Sequence, residues 1–162
     1  MPEKSIDALT SQFRPLACEL LARLIEKDVL VMIICTRRTV DEQQMALLSG
    51  NSGTVLSSHL PRRTRWKNTI EFPSSEEDMG KSDAMDICPY EEYHLHKSKK
   101  LQWNSKNPAF GIIGEEAEKL GLRWGGRWHQ PFDPGHVELA LPWKQALMVA
   151  ERKRPWPDFR QA

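Results

Sequence analysis

No apolar run in this 162-residue sequence is long enough for a bilayer-spanning helix, which excludes membrane insertion by that route. The opening residues, MPEKSIDALTSQF, lack the apolar core of a secretory signal, so the chain is expected to be made in the cytoplasm. Cysteine is scarce. Cys18, Cys35 and Cys88 form no C-x-x-C pair, which argues against a disulfide framework and against a cysteine zinc knuckle. Cys18 and Cys35 lie in apolar stretches and read as small core residues. Neither sign of charge is in excess: the formal net charge is +1, and no global field points to nucleic acid or a membrane surface. Internal repeats and a compositionally distinct second domain are also lacking. What remains is a chain with 40% hydrophobic and 28% charged residues, enough for one domain with its own core.

Along the chain, Ile6, Leu9, Phe13, Leu16, Leu20, Leu24 and Ile25 recur at helical spacing. Pro15 suits a first turn, so the spacing predicts a helix from about Arg14 to Lys27. Val29 to Cys35 is a β-branched run that reads as a buried strand. Thr39 with Glu42 forms a capping box opening a helix from Val40 to about Leu48. Arg37 and Arg38, between strand and helix, are either a solvated loop or part of a cleft for an anionic group. Residues 60 to 81 are polar and aperiodic, basic at first and then acidic, and read as a surface loop inserted at a rim. Trp66 in that basic part could stack on a nucleic-acid base, but the acids that follow cancel the charge. Ser82 to Cys88 reads as a strand with Ala84, Asp86 and Cys88 on one face. An Asp on such a face is costly unless paired or bound to a metal. His94-Leu95-His96 beside the lysines up to Lys100 reads as an exposed loop. Asn107-Pro108 starts a helix to Leu120, and Gly121 closes it. Pro142 and Trp143 start a short terminal helix, and the tail from about 152 is expected to be extended and partly ordered.

The densest stretch is GLRWGGRWHQPFDPGHVE, Gly121 to Glu138. His136 opens an alternating strand, so His136 and Glu138 share a face. Asp133-Pro134-Gly135 before it is a turn. Taken alone, an acid and a histidine there are also what an ordinary surface turn contains. Together with His59 and Asp86, His136 completes two histidines and a carboxylate, a common three-ligand zinc set that leaves a fourth position for water.

At these residues the chain resembles a family. Ser57-x-His59, Ala84-x-Asp86, Gly121-Leu122-x-Trp124-Gly125-Gly126-x-Trp128 and Asp133-x-x-His136 are similar to the zinc D-Ala-D-Ala carboxypeptidases and L-alanyl-D-glutamate endopeptidases, which share the Hedgehog/DD-peptidase fold. Arg38-Thr39-Val40-Asp41-Glu42-Gln43 resembles the family's Arg-Thr/Ser-x-x-x-Gln segment. The Trp-Gly-Gly-x-Trp stretch is especially like the phage endolysin branch. The sequence departs from the pattern in placing twenty-six residues between His59 and Asp86, with Ser82 where the family has Gly.

The resemblance implies an α+β fold in which a small antiparallel sheet, flanked by helices, carries a Zn2+ site. It implies His59, Asp86 and His136 as metal ligands, Asp133 as catalytic base, and Arg38 as a catalytic or carboxylate-binding cation. Gln43, Ser57 and Trp128 would line the substrate cleft. Glu138 is either a partner orienting a ligand or a rival base. The expected enzyme is one monomeric metallopeptidase domain acting on peptidoglycan stem peptides, most simply an L-alanyl-D-glutamate endopeptidase released to the wall through a holin. A D-Ala-D-Ala carboxypeptidase and a non-catalytic zinc-stabilised binding module are the alternatives.

Overall fold

The computed structural model describes residues 2–54, 57–65, 74–91 and 100–159. Trp66 and the His94/His96 pair lie outside the described residues. Helix α1 (Arg14–Glu26) follows a single 3-10 turn and has Pro15 in its first turn. It has no side-chain cap, a loss of about 1 kcal/mol. Burial of Leu20 and Leu24 outweighs it, at roughly 1.5–3 kcal/mol each. Asp28, at φ 58, turns the chain into β1 (Val31–Cys35). Helix α2 (Val40–Leu48) carries the full Thr39/Glu42 capping box. Short helices α3 (Arg62–Arg65) and α4 (Glu76–Met79) precede β2 (Ala84–Pro89). Helix α5 (Pro108–Lys119) is capped by Asn107, and Gly121, at φ 77, closes its end. Strands β3 (Arg123–Trp124) and β4 (His136–Glu138) follow, then α6 (Gln145–Arg152). Among the described residues, no helix is long and apolar enough to cross a membrane.

The four strands form one antiparallel sheet in the order β1-β2-β4-β3. The expected α+β architecture, a small antiparallel sheet flanked by helices, is present. Helices α1 and α5 pack on one face over Leu9, Phe13, Met85, Ile87, Ile113 and Val137. Gly114 of α5 lies flat on the Trp124 ring, where a Cβ would collide.

Four expectations change, the simplest being that Cys18, read as a core residue, is exposed. The Val29–Cys35 run is not a buried strand. β1 begins at Val31 and is the sheet's edge, so Leu30 and Met32 are each 46% exposed. An edge strand packs only one face and hydrogen-bonds on only one side, and a β-branched run is compatible with that as well as with full burial.

The segment from 60 to 81 is not wholly a surface loop either. Leu60, Arg62 and Asp78 are buried. Arg62 donates to Asp83 at 2.9 and 2.8 Å, and Arg65 also pairs with Asp83. Thr10 bonds Asp83 at 2.6 Å, and Asp78 accepts from the Ser11 amide at 2.8 Å. The stems of the insertion are thus bolted to the N-terminal turn by buried charges, which hydropathy reads as exposure.

The tail returns to the body. Trp156 stacks 5.1 Å from Trp124, and Arg154 and Arg127 exchange hydrogen bonds through their carbonyls at 2.8 Å.

Candidate metal centre and active-site cleft

The register of β2 and β4 sets Asp86 directly opposite His136 and Ala84 opposite Glu138. A bulge in β1 between Ile33 and Cys35 brings Cys35 opposite Asp86. His59 arrives from the turn after α2, where Ser57 Oγ accepts from its backbone N–H at 3.2 Å. Three segments far apart in sequence therefore converge on one end of the sheet. His59 Nε2 and His136 Nδ1 lie 3.0 and 2.8 Å from the same oxygen, Asp86 Oδ1.

Each imidazole is held from behind. His59 Nδ1 lies 2.9 Å from the Thr36 carbonyl oxygen, which only accepts, so Nδ1 carries the hydrogen. His136 Nε2 lies 2.8 Å from Glu138 Oε1 and donates to it. Glu138 is ionised: burial opposes its charge, but the bond from His136 and the Lys144 and Arg123 cations hold its carboxyl well below the usual range. These bonds leave the lone pairs of His59 Nε2 and His136 Nδ1 facing Asp86. Histidine ligands of metals are oriented this way.

Two nitrogen lone pairs and a carboxylate oxygen at hydrogen-bond distance repel unless a cation lies among them. His59 Nε2 is fully buried and, despite its nearness to Asp86, has no aligned hydrogen-bond partner. Burial works against charging the rings, but the nearby Asp86 charge raises His59 to about 10. Burial likewise opposes charging His136, and bonds to Asp86 and Glu138 raise it to about 9. Asp86 is lowered: burial opposes its charge, and the two histidines overcome it. The donor set and its orphaned nitrogen fit a divalent cation with two N and one O ligand.

Asp133 is the fourth member. Its carboxylate lies with the Asp86 carboxylate and the His136 ring in a group whose ligand atoms are all within 4.8 Å of one another. Burial, then the Asp86 charge, raises its pKa. The turn that holds it is clamped: the Asp133 N–H donates to Gly125 O at 3.1 Å, Trp124 Nε1 to Pro134 O at 2.8 Å, and the Ile87 N–H to Gly135 O at 2.9 Å. A Cβ on Gly125 would strike the Asp133 carbonyl, and one on Gly135 would strike the Ile87 carbonyl, so both close approaches require glycine.

The group opens into a cavity of about 500 Å³ lined by Arg38, Ser57, Trp128, Asp133 and Lys144 among others. Arg38 NH2 is 3.3 Å from Asp86 Oδ2. Trp128 stacks 4.9 Å from the His136 ring as a wall. Gln43 is placed differently from the expected cleft lining. It is buried, its carbonyl accepts from Arg38 at 3.2 Å, and its amide donates to Ser52 Oγ and Thr54 O at 2.8 and 2.7 Å. It holds Arg38 rather than facing the cavity.

Sequence reasoning missed Arg123, Lys144 and Glu151. Arg123 bridges Glu138 and Glu151 at 3.3 and 2.7 Å. Lys144 donates to Glu138 Oε2 at 2.7 Å and Ser58 Oγ at 2.6 Å. The one available signal was that Arg123 lies beside Trp124 in the Gly-rich stretch. Lys144 had none, since its place depends on the turn after Leu141.

A family profile described as D-alanyl-D-alanine carboxypeptidase matches residues 81–139, the segment that holds Asp86, Asp133 and His136. The chain is a metallopeptidase. In fold the metallopeptidase is similar to the L-Ala D-Glu endopeptidase ChiX of Serratia marcescens, at 15% identity and a TM-score of 0.54, over 86% of this chain and 90% of that one. The LdcB LD-carboxypeptidase aligns at 16% identity and a TM-score of 0.49, over 93% of this chain and 67% of that one. No curated protein matches the metallopeptidase in sequence. The resemblance to the zinc peptidoglycan peptidases holds at the level of class.

Proposed function

We propose that this peptidoglycan peptidase is a zinc enzyme that cuts the stem peptide at the L-alanyl-D-glutamate bond. His59, Asp86 and His136 would hold the metal, and Asp133 would be the base. The observation that carries the ligand assignment is the orphaned His59 Nε2, aimed with His136 Nδ1 at one oxygen of Asp86. When bound, zinc supplies a Lewis acid that polarises the scissile carbonyl and lowers the pKa of water to about 7.

The chain's own residues then have defined tasks. Asp133, with its raised pKa, accepts a proton from the attacking water as the new C–O bond forms, and returns it to the amine as the C–N bond breaks. The products are a carboxylic acid and an amine, so the protons balance. Arg38, braced by Gln43, offers a guanidinium edge to the negative charge on the substrate. Glu138 keeps the His136 ring oriented and is fully engaged with His136, Lys144 and Arg123, which leaves it no part in proton transfer. Ser57 shapes the turn that presents His59.

The fold likeness to an L-Ala D-Glu endopeptidase supports this architecture, and the endolysin-like Trp-Gly-Gly-x-Trp segment supports the choice of bond. Digestion of purified peptidoglycan, with and without a chelator, tests the reading. New D-glutamate amino termini that vanish with chelator are expected. Release of D-alanine instead would mean a carboxypeptidase, and zinc binding without cleavage a binding module. About one zinc per chain is expected, and its retention by a His59→Ala, His136→Ala double variant would overturn the ligand set. Release to the wall through a holin belongs to the same proposal. It predicts that expression without membrane permeabilisation leaves cells intact.

A further inference from the structure

Lys144 has three ammonium hydrogens and two acceptors. Its Nζ donates to Glu138 Oε2 at 2.7 Å and to Ser58 Oγ at 2.6 Å, and its side chain keeps 21% of its surface open. It lines the same cavity as Asp133 and His136. The remaining hydrogen has no acceptor among the described residues and can meet whatever fills that cavity.

The position matters. Ser58 precedes His59 in the chain, so their Cα atoms stand about 3.8 Å apart. Glu138 links Lys144 to the rear of the His136 ring. Lys144 therefore sits beside both histidines, and Arg38, which contacts Asp86 Oδ2, is a second cation at the same centre. Around Lys144 the carboxylates of Glu138 and Glu151 are already engaged by Arg123. Arg154, which also lines the cavity, adds a cation not paired with either. This end of the cleft can thus take up one more negative charge.

We propose that Lys144 is a specificity-determining residue that receives a free carboxylate of the substrate beside the scissile bond. This deepens the peptidase reading above and rests on it. In a γ-linked D-glutamyl residue the free α-carboxylate sits two bonds from the scissile nitrogen. Its carbon is therefore only about 4 Å from the carbonyl carbon under attack, by standard bond lengths. A hydrogen bond of about 2.8 Å from an ammonium spans the rest. Amidation of that carboxylate removes the charge and leaves the shape. The cleft would thus read the amidation state of the stem peptide.

The experiment uses the zinc-loaded full chain and two synthetic stem peptides that differ only in this group, one a free carboxylate and one a carboxamide. Wild-type protein should prefer the free acid by about 10–100-fold in kcat/KM, the range for one charge-assisted hydrogen bond. In Lys144→Gln that ratio should fall to near one, and Lys144→Arg should restore part of it. If Lys144 serves only to brace Glu138, Lys144→Gln will lower both rates together and keep the ratio. That result overturns the proposal, as does a wild-type ratio of one. Binding of the γ-D-glutamyl-lysine dipeptide and its carboxamide, followed by NMR, separates the two levels of inference. If wild type cuts neither peptide, the endopeptidase reading fails, while a free-acid preference in binding that Lys144→Gln abolishes still upholds the carboxylate site. Equal binding of both dipeptides overturns it.

Discussion

His59 and His136 each commit one ring nitrogen to an acceptor behind it and turn the other to Asp86 Oδ1. The same logic separates the two nearby acids. Asp133 has a raised pKa and, among the described residues, no cation in direct contact, whereas Glu138 is lowered and held by His136, Lys144 and Arg123. A proton acceptor must be free to take the proton and must not bind it too weakly, which is why Asp133 is the base in the proposed mechanism. Asp133→Asn should keep the fold and the zinc and lower turnover by about 10²–10⁴. Glu138→Gln should cost less turnover and weaken zinc retention by about 10–100-fold, because its bond to His136 orients a ligand. Peptidoglycan hydrolysis and zinc content, measured side by side on both variants, decide it. A fully active Asp133→Asn beside a zinc-loaded but dead Glu138→Gln would reverse the roles.

Two elements position these residues. The turn from Asp133 to Gly135 is pinned against β2 so closely that the Ile87 carbonyl occupies the space of a Gly135 Cβ. Backbone on both sides leaves little to yield. Gly135→Ala should therefore destabilise the protein by about 1–3 kcal/mol, the usual cost of overpacking, and displace Asp133 from Asp86. Denaturant unfolding together with turnover tests this, and a fully active, equally stable variant would show that the turn can give way. The second element is the pair of stems around the 60–81 insertion. Arg62 is fully buried against Asp83, with Gln12 and Ser74 as further partners. Arg62→Ala should cost about 3 kcal/mol, the low end for breaking a buried pair, since Arg65 still neutralises Asp83. An unchanged unfolding midpoint would return the stems to the status of surface loop.

For the whole molecule, the buried Asp83 cluster ties the N-terminal turn, the insertion and β2 together. Burial opposes the Asp83 charge, and Arg62 and Arg65 overcome it, so its pKa lies below the ordinary value of about 3.8. A carboxylate lowered in the fold stabilises it above the unfolded value, and that contribution disappears as pH falls through the folded one. The stability gap between wild type and Asp83→Asn should thus be constant at neutral pH and narrow below about pH 4. Thermal unfolding of both proteins across that range measures it, and a gap that stays constant down to pH 2 would remove Asp83 from the acid response.

Much of the architecture was legible in the sequence because it depends on neighbours. The capping box at Thr39, Pro15 in the first turn of α1, Asn107 and Gly121 around α5 and the alternation that puts His136 and Glu138 on one face are local chemistry. The candidate ligands His59, Asp86 and His136 and the acid Asp133 were legible as residue types at strand ends and in a Gly-rich turn. What only the tertiary structure decided depends on distant pairing. β1 is an edge strand because of the sheet order, which no run of apolar residues encodes. Arg62 and Asp78 are buried because partners far away in sequence, Asp83 and Ser11, neutralise or bind them, and hydropathy scores each residue alone. Gln43 turns inward to hold Arg38, and Lys144 reaches the cleft because the chain reverses after Leu141, so their roles arise only when strands and turns separated in sequence are set side by side.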